Sequence, residues 1–291
     1  MDSRWSIVGA PIDSSGADRA EARAPAALRS AGLLDALSIP DGGDLAVSID
    51  DPARDKATGV IGFEQLRRVS ETIRSTIAEL LAGDARPLVL GGDCTLLIGV
   101  FAALRDRVGP TGLWFVDGHA DFYDGHSSPS GEGADMELAV LTGHAVPELG
   151  LGRLVEPGDV VVVGHRTPAD ADGPEELERV DPGIRMIDAP TVSRSGAASV
   201  GAELERTLAV RVGAGWLHLD LDVLDQACFP AVSYPQAGGL DWDELRELVR
   251  PLVASSAIVG MSLADYNPDL DENGDCARRV VELLADLLET A

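Results

Sequence analysis

The sequence contains few cysteines, few basic residues and no long hydrophobic run. Its three cysteines among 291 residues are too few and too scattered for a disulfide framework, so a reducing, cytoplasmic setting is expected. No apolar stretch approaches the ~20 residues that span a bilayer. Residues 1–4 do not begin a secretory signal, which would need a basic segment followed by an apolar one. We therefore expect neither a membrane protein nor a secreted one.

The charge balance is strongly negative, because 23 basic residues face 49 acidic ones, giving a formal net charge of -26. A field of this sign disfavours nucleic acid and anionic membranes as partners. Aromatic residues amount to 4% and form no stripe typical of a base-stacking surface. A cationic small molecule would be attracted. Solubility alone is the simpler explanation of the charge, since net charge governs association rather than chemistry.

Short apolar segments alternate with segments of helical period along the chain. We predict strands at 5–10, 86–90, 113–116, 159–164, 184–188, 215–220 and 257–263, and helices at 20–30, 63–82, 95–105, 241–252 and 275–290. This alternation indicates an α/β fold, in which helices cover both faces of a parallel sheet. The chain has no internal repeat or low-complexity linker, so we expect a single domain over residues 1–291.

Three of the predicted strands end in polar clusters. These are Gly-Gly-Asp-Cys-Thr at 91–95, Asp-Gly-His-Ala-Asp at 117–121 and Asp-Leu-Asp-Val-Leu-Asp at 220–225. In open α/β sheets, ligands bind at the carboxyl ends of the strands. The three clusters are therefore candidates for one functional site.

The cluster at 117–121 has a spacing that suits metal ligation. Asp117, His119 and Asp121 follow one another at i, i+2 and i+4, on one side of an extended segment, and Asp220 and Asp222 repeat the i, i+2 spacing. Four neighbouring carboxylates repel one another unless cations lie among them. The oxygens suit Mn²⁺ or Mg²⁺, whereas the histidine favours Mn²⁺, Fe²⁺ or Zn²⁺. Solvated turn aspartates would explain either cluster alone, but the two together predict a metal site.

These clusters resemble the motifs of the arginase/agmatinase (ureohydrolase) superfamily. Segment 91–95 is similar to the family's Gly-Gly-Asp-His-Ser, segment 117–121 to Asp-Ala-His-x-Asp, and segment 218–225 to Ser-x-Asp-x-Asp-x-x-Asp. Further similar segments lie at 9–13, 24–29, 235–240 and 265–268. The resemblance therefore runs over nearly the whole chain, from about residue 7 to residue 268, with the motifs in the family's order.

The resemblance implies a three-layer α-β-α sandwich with a doubly wound parallel sheet of about eight strands, and a centre of two Mn²⁺ ions. The implied metal ligands are Asp117 and Asp220, which bridge both ions, Cys94 and Asp121 at one ion, and His119 and Asp222 at the other. A hydroxide between the ions would attack the central carbon of a guanidinium group, releasing urea and an amine. The family also implies a homo-oligomer, either a trimer or a hexamer.

Two further roles follow from the same resemblance. Asp121 would take the proton of the hydroxide and pass it to the leaving amine. Asp265 would pair with the cationic nitrogens of the substrate, although the family has glutamate there. Because aspartate is one methylene shorter, the guanidinium would have to bind deeper, and a misplacement of ~1 Å can cost about 10²-fold in rate.

Cys94 departs from the family, which has histidine at this position. A thiolate is a soft ligand, better matched to Zn²⁺ or Fe²⁺ than to Mn²⁺. Alternatively, Cys94 is only a small buried residue, and one metal site is weak or empty. His218 lies two positions before Asp220 in the sequence. It is either a neighbour of the metal ligands or an ordinary histidine of the sheet.

The loop after Asp121 also departs from arginases, which carry a relay histidine shortly after Ser-Gly-Asn. Here Ser-Gly-Glu at 130–132 is followed by Gly133 and Ala134. His126 and His144 are out of register, and we expect both at the surface. The loss of a relay would lower the rate, since general acid–base help is typically worth about 10²–10⁴-fold.

The substrate loop favours a guanidine without a carboxylate. We predict Tyr123, Ser130, Glu132 and Asp265 as substrate-binding residues. Glu132 falls where arginases have an asparagine that meets the substrate carboxylate, and a negative charge there would repel an α-amino acid. Tyr123 is more similar to agmatinases. The prediction is an agmatine-like substrate rather than L-arginine, unless Glu132 is only a solvated loop charge.

Two other functions stay open at this point. The chain could be a catalytically weak relative with a binding or regulatory role, as the changes at Cys94, Ala134 and Asp265 suggest. It could also be an amidinohydrolase of specialised metabolism that acts on a modified guanidine. The identity of the metal and of the substrate is left open by the sequence.

Overall fold

Eight parallel strands form one sheet in the computed structural model, which describes residues 4–166 and 173–289. The strands are β1 (Arg4–Ala10), β2 (Asp41–Asp44), β3 (Ala85–Gly91), β4 (Gly112–Val116), β5 (Val160–His165), β6 (Arg185–Asp188), β7 (Gly215–Asp220) and β8 (Ile258–Ala264). Their order across the sheet is β2-β1-β3-β8-β7-β4-β5-β6, and each neighbouring pair is parallel. The predicted α/β fold with about eight strands is confirmed.

Helices lie on both faces of this sheet. They are α1 (Ala24–Ser30), α2 (Leu33–Leu37), α3 (Phe63–Ala82), α4 (Leu96–Arg107), α5 (Glu137–Leu141), α6 (Gly173–Leu177), α7 (Ala189–Ser195), α8 (Ala197–Arg211), α9 (Trp242–Val253) and α10 (Asp275–Leu288). One hydrophobic core contains residues of α3, α4 and α5, and the other contains residues of α1, α2 and α7 to α10. Leu88 and Leu90 of β3 belong to one core and Val89 to the other, as expected for a strand buried on both faces.

The strand order brings the predicted polar clusters together. Strands β3, β8, β7 and β4 are consecutive neighbours in the middle of the sheet. After β3 the chain forms β4 three places further along the sheet, and β7 and β8 later fill the two places between them. Because all strands are parallel, their carboxyl ends meet at one edge. A crevice at such a reversal of strand order is the usual ligand site of open α/β sheets.

The sequence prediction missed some elements. Strand β2 has the sequence Asp-Gly-Gly-Asp, which lacks the apolar residues that predict a strand, and it lies at the edge of the sheet. Helices α7 and α8 were not predicted either. The predicted helix over 20–30 is divided, because a 3₁₀ turn over Ala20–Arg23 precedes α1, which has Pro25 in its first turn. None of the described helices is long and apolar enough to cross a membrane.

Candidate metal centre

The six predicted metal ligands come from the ends of three strands in the middle of the sheet, of which β7 and β4 are neighbours and β3 is separated from β7 by β8. Cys94 follows β3, the segment 117–121 follows β4, and Asp220 ends β7, with Asp222 in the 3₁₀ turn that follows. Asp265, the first residue after β8, lies beside them. Potential ligand atoms fall into overlapping groups whose members lie within 4.8 Å of one another. The groups are Cys94, Asp117, His218 and Asp220; Cys94, Asp121 and Glu137; and Asp117, His119 and Asp222.

The segment 117–121 is not extended, which corrects the geometry expected from its i, i+2, i+4 spacing. Asp121 takes a left-handed backbone conformation with φ of 45°, and the chain turns sharply here. The amide N–H of His119 donates to Asp117 Oδ1 over 2.7 Å, which tightens the turn. The aspartates at both ends thus reach the site through a turn rather than through a strand.

Gly118 is required by the close approach of two loops. Its amide N–H donates to Asp222 Oδ1 over 3.0 Å. A Cβ at this position would lie 2.7 Å from the same oxygen and 2.7 Å from a guanidinium nitrogen of Arg166. The glycine thus lets the backbone after β4 fix the carboxylate of Asp222.

We call His119, Asp222 and Gln236 the histidine half of the site. His119 Nδ1 lies 2.7 Å from Asp222 Oδ2 and 3.8 Å from Asp117 Oδ1, while its Nε2 lies 3.1 Å from Gln236 Nε2. Burial alone would lower the pKa of His119, but the charge of Asp222 raises it to about 9. Burial alone would raise the pKa of Asp222, but the charge of His119 lowers it to about 2. This half is therefore charge-balanced by the protein.

Arg166 supports the same half from below. Its guanidinium donates to the backbone oxygen of Asp222, and to that of Val223 over 3.2 Å. The side chain is buried. It thereby fixes the turn that carries Asp222.

We call Cys94, Asp121, Asp265 and Glu137 the cysteine half. Cys94 Sγ lies 2.7 Å from Asp220 Oδ2, 3.5 Å from Asp265 Oδ2 and 4.0 Å from Asp117 Oδ2. Burial raises the pKa of Cys94 well above its usual value, and nearby carboxylates raise it further. The same two causes, burial and neighbouring acids, raise the pKa values of Asp121 and Asp265. Unlike the histidine half, this half consists of acids that oppose one another's ionisation.

Glu137 is a residue of this half that the sequence prediction missed. It is the first residue of α5 and has no exposed surface. Among the described residues, no hydrogen-bond donor reaches either of its carboxylate oxygens. A carboxylate oxygen of Glu137 lies within 4.8 Å of ligand atoms of Asp121 and Cys94. Nothing local marks Glu137 in the sequence, because it follows Asp121 by sixteen positions in a loop without a regular pattern.

Asp117 and Asp220 lie between the two halves. Burial raises the pKa of Asp220 to about 6, and burial together with the charge of Asp121 raises that of Asp117 well above its usual value. Buried carboxylates without cationic partners are costly. Divalent cations would remove this cost, and carboxylate, imidazole and thiolate are all known ligands of such ions. The donor set therefore fits a pair of bound metals.

The four predicted substrate-binding residues line one cavity with the metal centre. Tyr123, Ser130, Glu132 and Asp265 all contribute to its wall. The Ser130 hydroxyl donates to Asp135 over 2.6 Å, so it orders the loop. Glu132 forms a two-pronged ion pair with Arg19, which sequence reasoning did not detect.

The histidines outside the motifs lie away from this cavity. His126 and His144 are both exposed, as expected, and His144 Nε2 lies 3.0 Å from Asp181. Ala134, at the position of the arginase relay histidine, lines the cavity. Glu176 of α6 lies in the wall as well and accepts a hydrogen bond from the Phe122 amide. Residues 167–172, which follow β5, lie outside the described residues.

Comparisons with known proteins extend along nearly the whole chain. A family model described as the Arginase family matches residues 3–289. The arginase of Bacillus caldovelox is 28% identical over 292 residues, which cover 97% of this chain and 97% of the relative. The arginase of Agrobacterium fabrum is 29% identical, covering 97% of this chain and 89% of the relative. The solved structure of the Bacillus caldovelox arginase matches with a TM-score of 0.89 at 27% identity, over 98% of each chain.

Proposed function

The chain belongs to the arginase family, and we propose that its cavity hydrolyses a linear C–N bond of a cationic guanidino molecule that lacks a carboxylate. Enzymes of this family are metal-dependent amidinohydrolases, and this chain is one of them. The products would be urea and an amine. Two Mn²⁺ ions are the proposed metals, with Zn²⁺ or Fe²⁺ as alternatives that Cys94 would accept more readily.

The charge of the cavity is the observation that carries this proposal. Ten of its lining side chains are carboxylic acids, whereas two are arginines, Arg19 and Arg166. Both arginines already have acceptors, since Arg19 pairs with Glu132 and Arg166 donates to backbone oxygens. Two bound metals would neutralise only part of this charge. The remaining field favours a cation over a zwitterion or an anion.

The roles of the protein groups follow from their positions. Two divalent ions at the centre would activate water for attack on the guanidinium carbon near neutral pH. Asp121, which lines the cavity at the cysteine half, would accept the proton of this water and deliver it to the leaving amine. Asp265 would accept hydrogen bonds from the cationic nitrogens of the substrate and so orient its carbon.

The preference for agmatine over L-arginine rests on Glu132 and Tyr123. Arginase is the name of the relatives reported above, but arginases have asparagine at both positions. The ion pair with Arg19 weakens the repulsion that Glu132 alone would exert on a carboxylate. The pair also occupies the guanidinium of Arg19, which therefore cannot serve as a free carboxylate receptor. We infer that an α-carboxylate would find no unpaired guanidinium among the described residues that line the cavity.

A substrate panel tests the proposal. Purified enzyme loaded with Mn²⁺ is given agmatine, 4-guanidinobutyrate and L-arginine, and released urea is measured. We expect kcat/KM for agmatine to exceed that for both carboxylate-bearing substrates, with Glu132→Gln narrowing the difference. Asp135→Asn is the matched control, because Asp135 is a further acid of the same wall whose side chain accepts hydrogen bonds from Ser128 and Ser130 rather than pairing with Arg19. Comparable turnover of L-arginine and agmatine by the wild type would overturn the preference.

Ala134 favours a second candidate within the same reaction class. Without a relay histidine at this position, the amine of an ordinary guanidine would be a poor leaving group. A guanidine that is hydroxylated on its departing nitrogen would release a hydroxylamine together with urea. A hydroxylamine is a weaker base than an alkylamine, so it needs less proton assistance to leave. Scoring the panel for hydroxylamine, hydroxyurea, formamide and ammonia as well as urea separates this candidate from the first. A cytoplasmic location and a trimeric or hexameric assembly remain predictions.

A further inference from the structure

His218 lies beside Cys94 at the bottom of the site. It belongs to β7 and has no exposed surface. Its Nε2 lies 3.1 Å from Cys94 Sγ, and its ring stacks on Phe115 with 5.2 Å between the ring centres. The imidazole therefore points into the cysteine half rather than away from it.

The position of the imidazole nitrogen suits a metal ligand. The ligand atoms of Cys94, Asp117, His218 and Asp220 all lie within 4.8 Å of one another. Around a tetrahedral ion, bonds of about 2.0–2.3 Å place neighbouring ligand atoms about 3–4 Å apart. Small movements of the side chains would thus allow these four atoms to surround one cation.

The other ring nitrogen of His218 is already engaged. Nδ1 lies 2.8 Å from Ser262 Oγ on the adjacent strand β8. Ser262 Oγ also accepts a hydrogen bond from Trp216 Nε1 over 3.0 Å. A serine oxygen has two lone pairs, so it can accept from His218 Nδ1–H as well. This arrangement would leave the lone pair of Nε2 directed at the site, as in histidines that ligate metals.

Positions 94 and 218 both differ from the family motifs, and a histidine is present at the second position instead of the first. The family has histidine in Gly-Gly-Asp-His-Ser and serine in Ser-x-Asp-x-Asp, whereas this chain has Cys94 and His218. The two side chains are in contact in the fold, with 3.1 Å between Cys94 Sγ and His218 Nε2. The imidazole of His218 therefore lies beside the position that a histidine occupies in the family motif.

We propose that His218 is a ligand of the metal in the cysteine half, where it restores the imidazole that Cys94 replaces. This proposal rests on the proposed metal-dependent function. The metal would be bound by one thiolate, one imidazole and carboxylates, a softer set than the family's. Such a set favours Zn²⁺, Fe²⁺ or Co²⁺ over Mn²⁺ at this half.

Metal counting on four proteins tests the proposal. The wild type, His218→Ser, Cys94→His and the double variant Cys94→His/His218→Ser are equilibrated with Co²⁺, freed of excess metal and analysed for cobalt per chain. We expect two ions in the wild type, one in His218→Ser and two in the double variant, which reproduces the family pair. The thiolate-to-cobalt absorption band should be present in the wild type and absent from His218→Ser.

His165→Ser is the matched control, because His165 is a second buried histidine at a strand end that lies outside the groups of potential ligands. It should retain both ions. Two ions and an unchanged absorption band in His218→Ser would overturn the proposal, as would fewer than two ions in the wild type. Metal counting uses no substrate, so its result does not depend on the proposed reaction. A protein that binds two ions but releases no urea from any guanidine would refute the proposed function and leave the role of His218 in metal binding intact.

Ser262→Ala keeps the test decisive if His218→Ser does not fold. This variant retains the imidazole but removes the partner of its Nδ1. Loss of such a partner typically weakens metal affinity by about 10–100-fold. We expect this loss in one of the two steps of a cobalt titration, and two unchanged steps would overturn the proposal.

Discussion

The histidine half and the cysteine half share Asp117 and Asp220 but differ in how their charges are balanced. In the histidine half, the pKa of Asp222 is lowered to about 2 because His119 lies 2.7 Å away. In the cysteine half, burial and neighbouring acids raise the pKa values of Cys94 and Asp265. Among the residues that the structure describes, the protein supplies a cation to the first half and none of comparable proximity to the second.

This difference indicates what bound metals contribute to each half. In the histidine half, a bound metal would take the place of the proton on His119, whose carboxylate neighbours already lie close by. In the cysteine half, a bound metal would have to let several buried acids ionise at once and would release their protons. We therefore expect the two sites to differ in affinity, in metal preference and in pH dependence.

The largest expected effect comes from breaking the cysteine half at Asp121. In Asp121→Asn the amide can neither accept the proton of the attacking water nor ligate as a carboxylate does. We expect kcat to fall by about 10²–10⁴-fold, measured as urea release from the best guanidine. Asp35→Asn on the exposed surface of α2 is the control. A variant with the kcat of the wild type would exclude Asp121 as the proton carrier.

A smaller effect is expected from Gln236→Ala, which touches only the histidine half. Gln236 contacts His119 Nε2, and loss of an outer partner of a ligating histidine typically costs about 10–100-fold in metal affinity. In a stepwise Mn²⁺ titration of the variant, we expect a lower affinity in one binding step and an unchanged affinity in the other. The exposed Gln226 of the same loop provides the control, Gln226→Ala. Equal weakening of both steps would mean that the halves do not act separately.

The smallest predicted effect concerns the stability of the metal-free protein. The pKa of Glu137 is raised well above its usual value, mainly by burial. An acid whose pKa is higher in the folded than in the unfolded protein stabilises the fold while it is protonated. For Glu137 this stability is fully present below the pKa of the unfolded chain, near 4.5, and is lost as the pH rises through the pKa of the folded protein. Removing the charge in Glu137→Gln should therefore raise the free energy of unfolding at alkaline pH, by about 1 kcal/mol.

The measurement is urea unfolding in the presence of a chelator between pH 4 and pH 9. The gain should vanish near pH 4, where Glu137 of the wild type is protonated. Glu175→Gln on the exposed side of α6 is the matched control and should show no such trend. If the free energies of unfolding of wild type and Glu137→Gln differed by the same amount at every pH, burial would not be opposing the ionisation of Glu137.

The sequence was sufficient to predict the sheet and to mark the strand ends at which the candidate ligands lie together. Strands such as β4 and β7 consist of buried apolar residues followed directly by acids, so both the strand and its functional end are marked by local pattern. Strand β2 escaped prediction because its pairing with β1, rather than its own composition, makes it a strand. The predicted boundaries of the inner strands differ from the observed ones by about one residue.

The charge balance of the site could not be predicted in the same way. The pair of Arg19 with Glu132 joins residues 113 positions apart, and the contact of Cys94 with His218 joins residues 124 positions apart. Glu137 reaches Asp121 only because the loop between them folds back over the cavity. Such contacts depend on tertiary packing, which no local pattern reports, and they determine which acids face a cation and which face one another.

The number of metal ions per chain tests the central claim most directly. Purified protein is equilibrated with Mn²⁺ or Zn²⁺ at pH 8, freed of excess metal and subjected to elemental analysis, with Cys94→His treated in parallel. The account predicts two ions per chain in the wild type, with Zn²⁺ retained more firmly than Mn²⁺ in the cysteine half. A wild-type protein that retains no metal, while Cys94→His retains two ions, would contradict it.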